Sequence, residues 1–354
     1  MPIRRTKSKR RSRKRTKRSL QAEQKTNESP DFQMSLAEAA SLALPEPIIE
    51  KLIGSHHEQR LSQSFNRVII LPAADIGTLP FAALPVGDKL LVDHMAIVLL
   101  PDIDALMADE IANPIPFVGR RALVVGDPDL SRDRQQIFQP LPAAQQEAID
   151  VGRLTRSAPL LRSFATRKRV LKRLKQRPHL IYFATHGISD SANPMDQSFL
   201  ALSGGHLYGR DIKRLRSTFY REFVNPVVVM SACQTGLGKV FEGGVFGLAR
   251  AWHYAGAWQV VMSLWNVNDK ATKSLMTRFM QYAVGSTYHR RSWSGHGLSG
   301  PLFEAWGERM RLVSPHQQGV EFDLRAASLA MQKKSRDPAL WAGFVHYGLP
   351  TMQR

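Results

Sequence analysis

The sequence predicts an α/β fold built on a mixed, largely parallel sheet of about six strands, with helices on both faces. Three observations carry that reading. Short apolar runs rich in β-branched residues recur along the chain, and Val227 to Met230, Leu180 to Ala184 and Gln259 to Leu264 are the clearest. Each is followed by small or polar residues and by segments with helical periodicity, the alternation that parallel sheets require. The chain has 354 residues and is 43% hydrophobic and 8% aromatic, enough for a real core in one large domain or two small ones.

In chain order, the first stretch is a run of charge. Residues 1–19 hold eleven Lys and Arg and no acid, more than half of the net charge of +19. Such a run has nothing to bury and reads as an extended arm. It is either an idle solvated tail or a sequence-blind electrostatic contact for nucleic acid or an anionic membrane surface. Residues 20–44 are polar and then alanine-rich, with a short helical pattern from about Met34 to Leu44, too little for two helical repeats. Residues 1–44 therefore form an arm, and the folded domain is expected over 45–354, entered through Pro45 and Pro47.

Val68 to Leu71 reads as a first strand, and Met95 to Leu100 and Ala122 to Val125 as further apolar runs. A helix opens at Leu141 and a basic helix is expected over Phe164 to Arg177, its Val170, Leu171 and Leu174 forming the apolar stripe. Leu180 to Ala184 is a buried strand that ends at His186 and Gly187, and a helix is expected over His206 to Leu215. Val227 to Met230 leads through Ser231 to Cys233 and a Thr-Gly-Leu-Gly turn, followed by a helix over Val245 to Tyr254. The strand Gln259 to Leu264 gives way to Trp265 and to a helix starting near Asp269. Residues 286–320, with five glycines, several serines, Trp293 and Trp306, read as an insertion of the length of a functional loop or lid. A last helix, Leu324 to Lys334, and a strand, Trp341 to Tyr347, close the chain.

The chemistry gathers at two strand ends. Cys233 is the only cysteine, so it serves neither an internal disulfide nor a multi-cysteine zinc site. It is either a small buried hydrophobe or a nucleophile presented at the carboxyl edge of the sheet. Of eleven histidines, His186 alone stands in the matching setting, a strand end before a glycine. On neighbouring parallel strands an imidazole there can take the thiol proton. The N–H groups of Gly187 and Cys233 could then hold an oxyanion.

Ala184-Thr-His-Gly187, Ser231-Ala-Cys-Gln-Thr-Gly236, Phe246-Gly-Leu-Ala-Arg250, Ala255-Gly-Ala257 and Ser263-Leu-Trp-Asn-Val-Asn-Asp269 together resemble the CHAT domain, as does Leu79-Pro-Phe81. This is the caspase-like peptidase domain often found with tetratricopeptide repeats, a relative of separase and the caspases in clan CD. The resemblance runs from about Leu44 to the chain end. It implies a caspase-like three-layer sandwich and a cysteine endopeptidase with His186 and Cys233 as its catalytic dyad. It implies a protein or peptide substrate, with room for an activating protein partner, and no cofactor or metal.

The same resemblance gives Asp269 two readings, a helix cap or the acid that holds a basic P1 side chain. Trp265 likewise lines a substrate pocket or packs under the loop. The acid that many clan members place two residues before the cysteine is Ser231 here. Glu242-Gly-Gly244 also stands one residue short of the usual Gly-Glu-Gly, which favours the alternative of a weakly active or inactive interaction module of the same fold. No apolar run approaches the ~18 residues of a membrane span, and no apolar core follows the basic N-terminus as in a signal peptide. The expected location is cytoplasmic.

Overall fold

The structure, a computed structural model, describes residues 35–53, 66–72, 78–102, 121–133, 137–190, 192–220, 225–231, 245–293 and 319–351. The arm at 1–19, Cys233 with its glycine turn, and most of the expected insertion lie outside the described residues.

The chain enters through α1 (Leu36–Ala43) and α2 (Glu46–Ile53). Ser35 and Glu38 cap α1 reciprocally, the Ser35 Oγ accepting from Glu38 N and the Glu38 carboxylate from Ser35 N. This fixes the helix so that Ala39, Ala40 and Leu44 join the main hydrophobic core. Next come β1 (Arg67–Ile70), a small ribbon of β2 (Pro85–Val86) and β3 (Lys89–Leu90), α3 (Leu91–His94) and β4 (Ala96–Leu99). The second portion runs β5 (Ala122–Pro128), α4 (Pro142–Thr155), β6 (Leu160–Arg162), α5 (Arg167–Leu174) and β7 (Leu180–Ala184). A three-stranded ribbon follows, made of β8 (Gly187–Ile188), β9 (Phe199–Leu200) and β10 (Leu207–Tyr208), with α6 (Pro194–Gln197) between its first two strands. The chain continues through α7 (Gly209–Lys213), α8 (Arg216–Tyr220), β11 (Val227–Ser231), α9 (Val245–Ala255) and β12 (Gln259–Ser263). It closes with α10 (Asp269–Trp293), α11 (Val320–Gln332) and β13 (Phe344–Gly348).

The described residues form a main sheet of eight strands in the order β1-β4-β13-β12-β11-β7-β5-β6. Every pairing is parallel except β12 with β13, so two parallel halves meet at one antiparallel seam. The strands beyond the expected six include β6, whose Leu160–Arg162 lies at the sheet edge with no fully buried residue and so left no apolar run to read. β7, β11 and β12 are buried at every position, as strands covered on both faces must be.

Right-handed crossovers decide the layers. The β6–α5–β7, β7–α7–β11 and β11–α9–β12 connections all advance in one direction along the sheet, which puts α5, α7 and α9 on one face. The β5–α4–β6 connection steps the other way, so α4 covers the opposite face, where it packs against α10, and α10 against α11. The core between is continuous and anchored by fully buried Trp252, Trp341, Tyr182, Phe183 and Phe279.

Two expected helices are redrawn. The basic helix starts at Arg167 rather than Phe164, because the Thr166 side chain caps it by accepting from Arg169 N at 3.3 Å. The segment from His206 divides into β10 and α7, since Tyr208 pairs with Phe199 and its N–H is then taken by the Asp211 carboxylate at 3.2 Å. Residues 286–293, expected within the insertion, continue α10.

Gly126, in β5, allows α4 to close on the sheet. A Cβ there would sit 2.3 Å from the Ala148 Cβ and 3.1 Å from the Ala144 carbonyl oxygen. Gly126→Ala is expected to push α4 outward and cost about 2 kcal/mol, the typical penalty of overpacking. Chemical denaturation at neutral pH checks this, and an unchanged midpoint would show that α4 is not held that tightly.

Candidate active site

The site stands where β7 and β11 end. These strands pair in parallel register, with Val227 opposite Leu180 and Ser231 opposite Ala184. His186 follows Ala184 by two residues, and Cys233 follows Ser231 by the same two. Equal offsets beyond a paired position on strands ~4.8 Å apart are what the dyad reading needs. The described chain stops at Ser231 on the cysteine side.

His186 is buried, with 3% of its surface exposed. Its Nε2–H donates to the backbone carbonyl of Gln139 at 2.7 Å, and its ring lies 5.1 Å from that of Phe138. A carbonyl can only accept, so Nε2 carries a proton and Nδ1 is the basic nitrogen of the neutral ring. The segment leading into α4 thus orients the imidazole from behind. His186 also passes its own carbonyl to Ala201 N at 2.8 Å. That bond makes Gly187 and Leu200 a pair of the non-hydrogen-bonded kind, so the Gly187 N–H points away from β9.

Asp269 is the first residue of α10 and half-buried. It does not cap its own helix. Asn268 does so, its Oδ1 accepting from Lys270 N and Ala271 N at 3.1 and 3.3 Å. The Asp269 Oδ2 instead accepts from Ala143 N at 3.0 Å, in the first turn of α4. His186 follows β7 and Asp269 follows β12, and β11, which leads to Cys233, runs between them. Trp265 is 7% exposed, and its indole N–H donates to the Ala339 carbonyl at 3.2 Å. Its ring closes on Gly343, where a Cβ would come within 2.8 Å. In this position the indole packs on the segment that leads into β13.

Several residues of the site were not singled out in the sequence. Glu147 lies on the sheet side of α4, 1% exposed, and its Oε1 accepts from the Tyr182 hydroxyl at 2.8 Å. Burial pushes its carboxyl up to about 7, and the Asp269 charge adds to the rise. Ser231, Tyr182 and Lys273 pull the other way. The buried Ser231 hydroxyl sits beside this carboxylate rather than squarely in hydrogen-bond geometry. Ser231, two residues before Cys233 in the sequence, thus has a carboxyl group from α4 next to it. A signal for Glu147 did exist, since it falls in step with Ala144, Ala148, Val151 and Thr155 on one helix face. At the neighbouring strand end, Asp127 (φ 40°) is held by Arg162 at 2.6 Å and accepts from Leu141 N at 3.4 Å.

A mostly parallel sheet of this order, with helices on both faces, is the caspase-like fold class expected from the sequence. The family profile of the CHAT domain matches residues 34–349, and the chain belongs to that family. Among curated proteins it is 26% identical over 369 aligned positions to the human tetratricopeptide repeat protein 28 and 25% identical to the mouse protein. Each match covers 91% of this chain but only 14% of the relative's length. Among solved structures it resembles the Arg specific cysteine proteinase gingipain R, with a TM-score of 0.51 at 11% identity, over 88% of this chain and 70% of that one. The complex of the Porphyromonas gingivalis RgpB pro- and mature domains gives the same TM-score and identity, over 89% and 71% of the two chains. Among the described residues no helix is long and apolar enough to cross a membrane.

Proposed function

We propose that the chain is a cysteine endopeptidase that cleaves protein substrates after basic residues. The observation that supports this reading is the parallel register of β7 and β11 up to the Ala184–Ser231 pair; in the sequence His186 and Cys233 each follow that pair by two residues. The Nδ1 of His186 takes the Sγ proton of Cys233, and the thiolate attacks the scissile carbonyl carbon. The tetrahedral oxyanion accepts hydrogen bonds from the N–H groups of Gly187 and Cys233. The imidazolium then gives its proton to the departing amine, and a water molecule hydrolyses the thioester.

The preference for arginine or lysine at P1 rests on Asp269. A cationic side chain entering beside Cys233 needs a half-buried carboxylate to replace its lost hydration, and Asp269 stands at the strand end next to β11. Gingipain R, a neighbour in fold, is Arg specific, which agrees with this reading. Asp269→Asn keeps an acceptor for Ala143 N and removes the charge. It is expected to lower kcat/KM on Arg and Lys P1 substrates about thirty- to thousandfold while sparing neutral P1, the scale for losing one partner of a desolvated pair. A matched P1 peptide series on both proteins measures it. Equal losses on basic and neutral P1 would reduce Asp269 to a brace between α10 and α4. A wild type that prefers acidic or apolar P1 would end the specificity reading.

A further inference from the structure

The proposed hydrolysis makes no use of the positive charge of this chain, and that charge is not spread evenly. Of the net +19, residues 1–19 carry +11 and residues 160–220 carry +9, from twelve Lys and Arg against three Asp, so the remainder of the chain is −1. The segment 160–220 supplies α5, α7 and α8, and α5 and α7 lie on the face of the sheet opposite α4, α10 and α11. Most of the positive surplus beyond residues 1–19 therefore falls in the segment that supplies these helices.

This side is continuous. Arg167 of α5 reaches the Asp211 carboxylate of α7 at 3.0 Å, and Arg214 approaches the same carboxylate at 3.9 Å. Between α7, α8 and the end of α9 an open groove of about 740 Å³ is lined by Arg210, Lys213, Arg214 and Arg216, with Asp196 and Tyr254. Aromatic rings are set among the cations. Lys213 and Arg216 lie 4.7 and 4.8 Å from the Tyr254 ring, Arg210 lies 4.4 Å from Tyr208, and Arg169 lies 4.6 Å from Phe164. Tyr254 is 45% and Phe164 60% exposed, so ring surface remains open to solvent.

We propose that this α5–α7–α8 face, with the groove against α9, is a binding site for the phosphodiester backbone of single-stranded nucleic acid, separate from the peptidase site. Guanidinium groups pair with phosphate oxygens in bidentate fashion, and exposed rings among them offer stacking surface to unpaired bases. An acidic protein segment would use the charge but not the rings.

The test measures binding of the full-length chain to a fluorescein-labelled single strand of about 20 nucleotides across a salt series. In one variant Lys213, Arg214 and Arg216 become Gln. In a charge-matched control, exposed Lys333, Lys334 and Arg336, beyond the end of α11, become Gln. The first variant is expected to bind about tenfold more weakly near 0.1 M salt, with the log–log salt slope reduced by about 2, while the control stays close to wild type. Should the first variant melt early, replacing Lys168, Lys172 and Lys175, exposed on α5, carries the same comparison. Equal losses in both variants would show that only overall charge matters, and no loss in either would leave all binding to the arm. Poly-glutamate of matched charge competing as well as the oligonucleotide would reassign the face to acidic protein. Any of these three results overturns the proposal.

Discussion

Replacing His186 by alanine is expected to lower kcat/KM for peptide cleavage by about 10³-fold or more, and Cys233→Ala to do the same, with folding intact in both. His186 lies at a strand end, outside the β7 ladder, so its loss removes no pairing that defines the sheet. The ring donates a hydrogen bond to the Gln139 carbonyl and packs on Phe138. Truncation therefore costs local order behind the site rather than the core. Because base and nucleophile act on one proton, the double variant should be no worse than either single one. Residual turnover above a tenth of wild type in either would remove that residue from the mechanism. Far-UV circular dichroism and a melting curve on the same samples separate lost chemistry from lost structure.

Glu147→Gln is expected to stabilise the protein above neutral pH by up to about 3 kcal/mol and to flatten its stability profile. Burial holds the Glu147 carboxyl at about 7 in the folded chain, against 4.5 when exposed. Between about pH 4.5 and 7 the folded state keeps a proton that the unfolded state has released. Stability from this group is thus complete below 4.5 and lost as pH rises through 7. A difference of this size amounts to about 1.4 kcal/mol for each pH unit of the window. Glutamine can still accept from the Tyr182 hydroxyl and has no proton to lose. Urea unfolding at pH 5 and pH 8 is the measurement. Wild type and variant should nearly coincide at the lower pH and separate at the higher. A variant less stable than wild type at pH 8 would mean that the carboxylate is ionised and favourably held there.

How far these features could be read in advance depends on which atoms carry them. β5, β7, β11 and β12 are legible because strands covered on both faces must be apolar throughout. His186 and Gly187 are legible because a polar residue and a glycine after such a run mark the sheet edge. The edge strand β6 is not, since Leu160–Arg162 contributes one ladder and little burial. The Gln139 carbonyl that sets the His186 tautomer is a backbone atom, and any residue could supply it. Glu147 falls in step with the buried face of α4, but its charge outweighs that signal, because a carboxylate on an amphipathic helix is ordinarily assigned to solvent. The Tyr182 hydroxyl from β7 supplies the partner that makes its inward position intelligible. The role of Asp269 at Ala143 spans 126 residues of chain, a distance over which no local pattern speaks.

The most direct measurement is covalent trapping. The full-length protein is incubated with a peptidyl acyloxymethyl ketone carrying arginine at P1, and intact and peptide masses are recorded. The account predicts a single adduct, located on Cys233, formed rapidly in wild type and almost not at all in His186→Ala. An unmodified Cys233, or one that reacts at the same rate without His186, would contradict it.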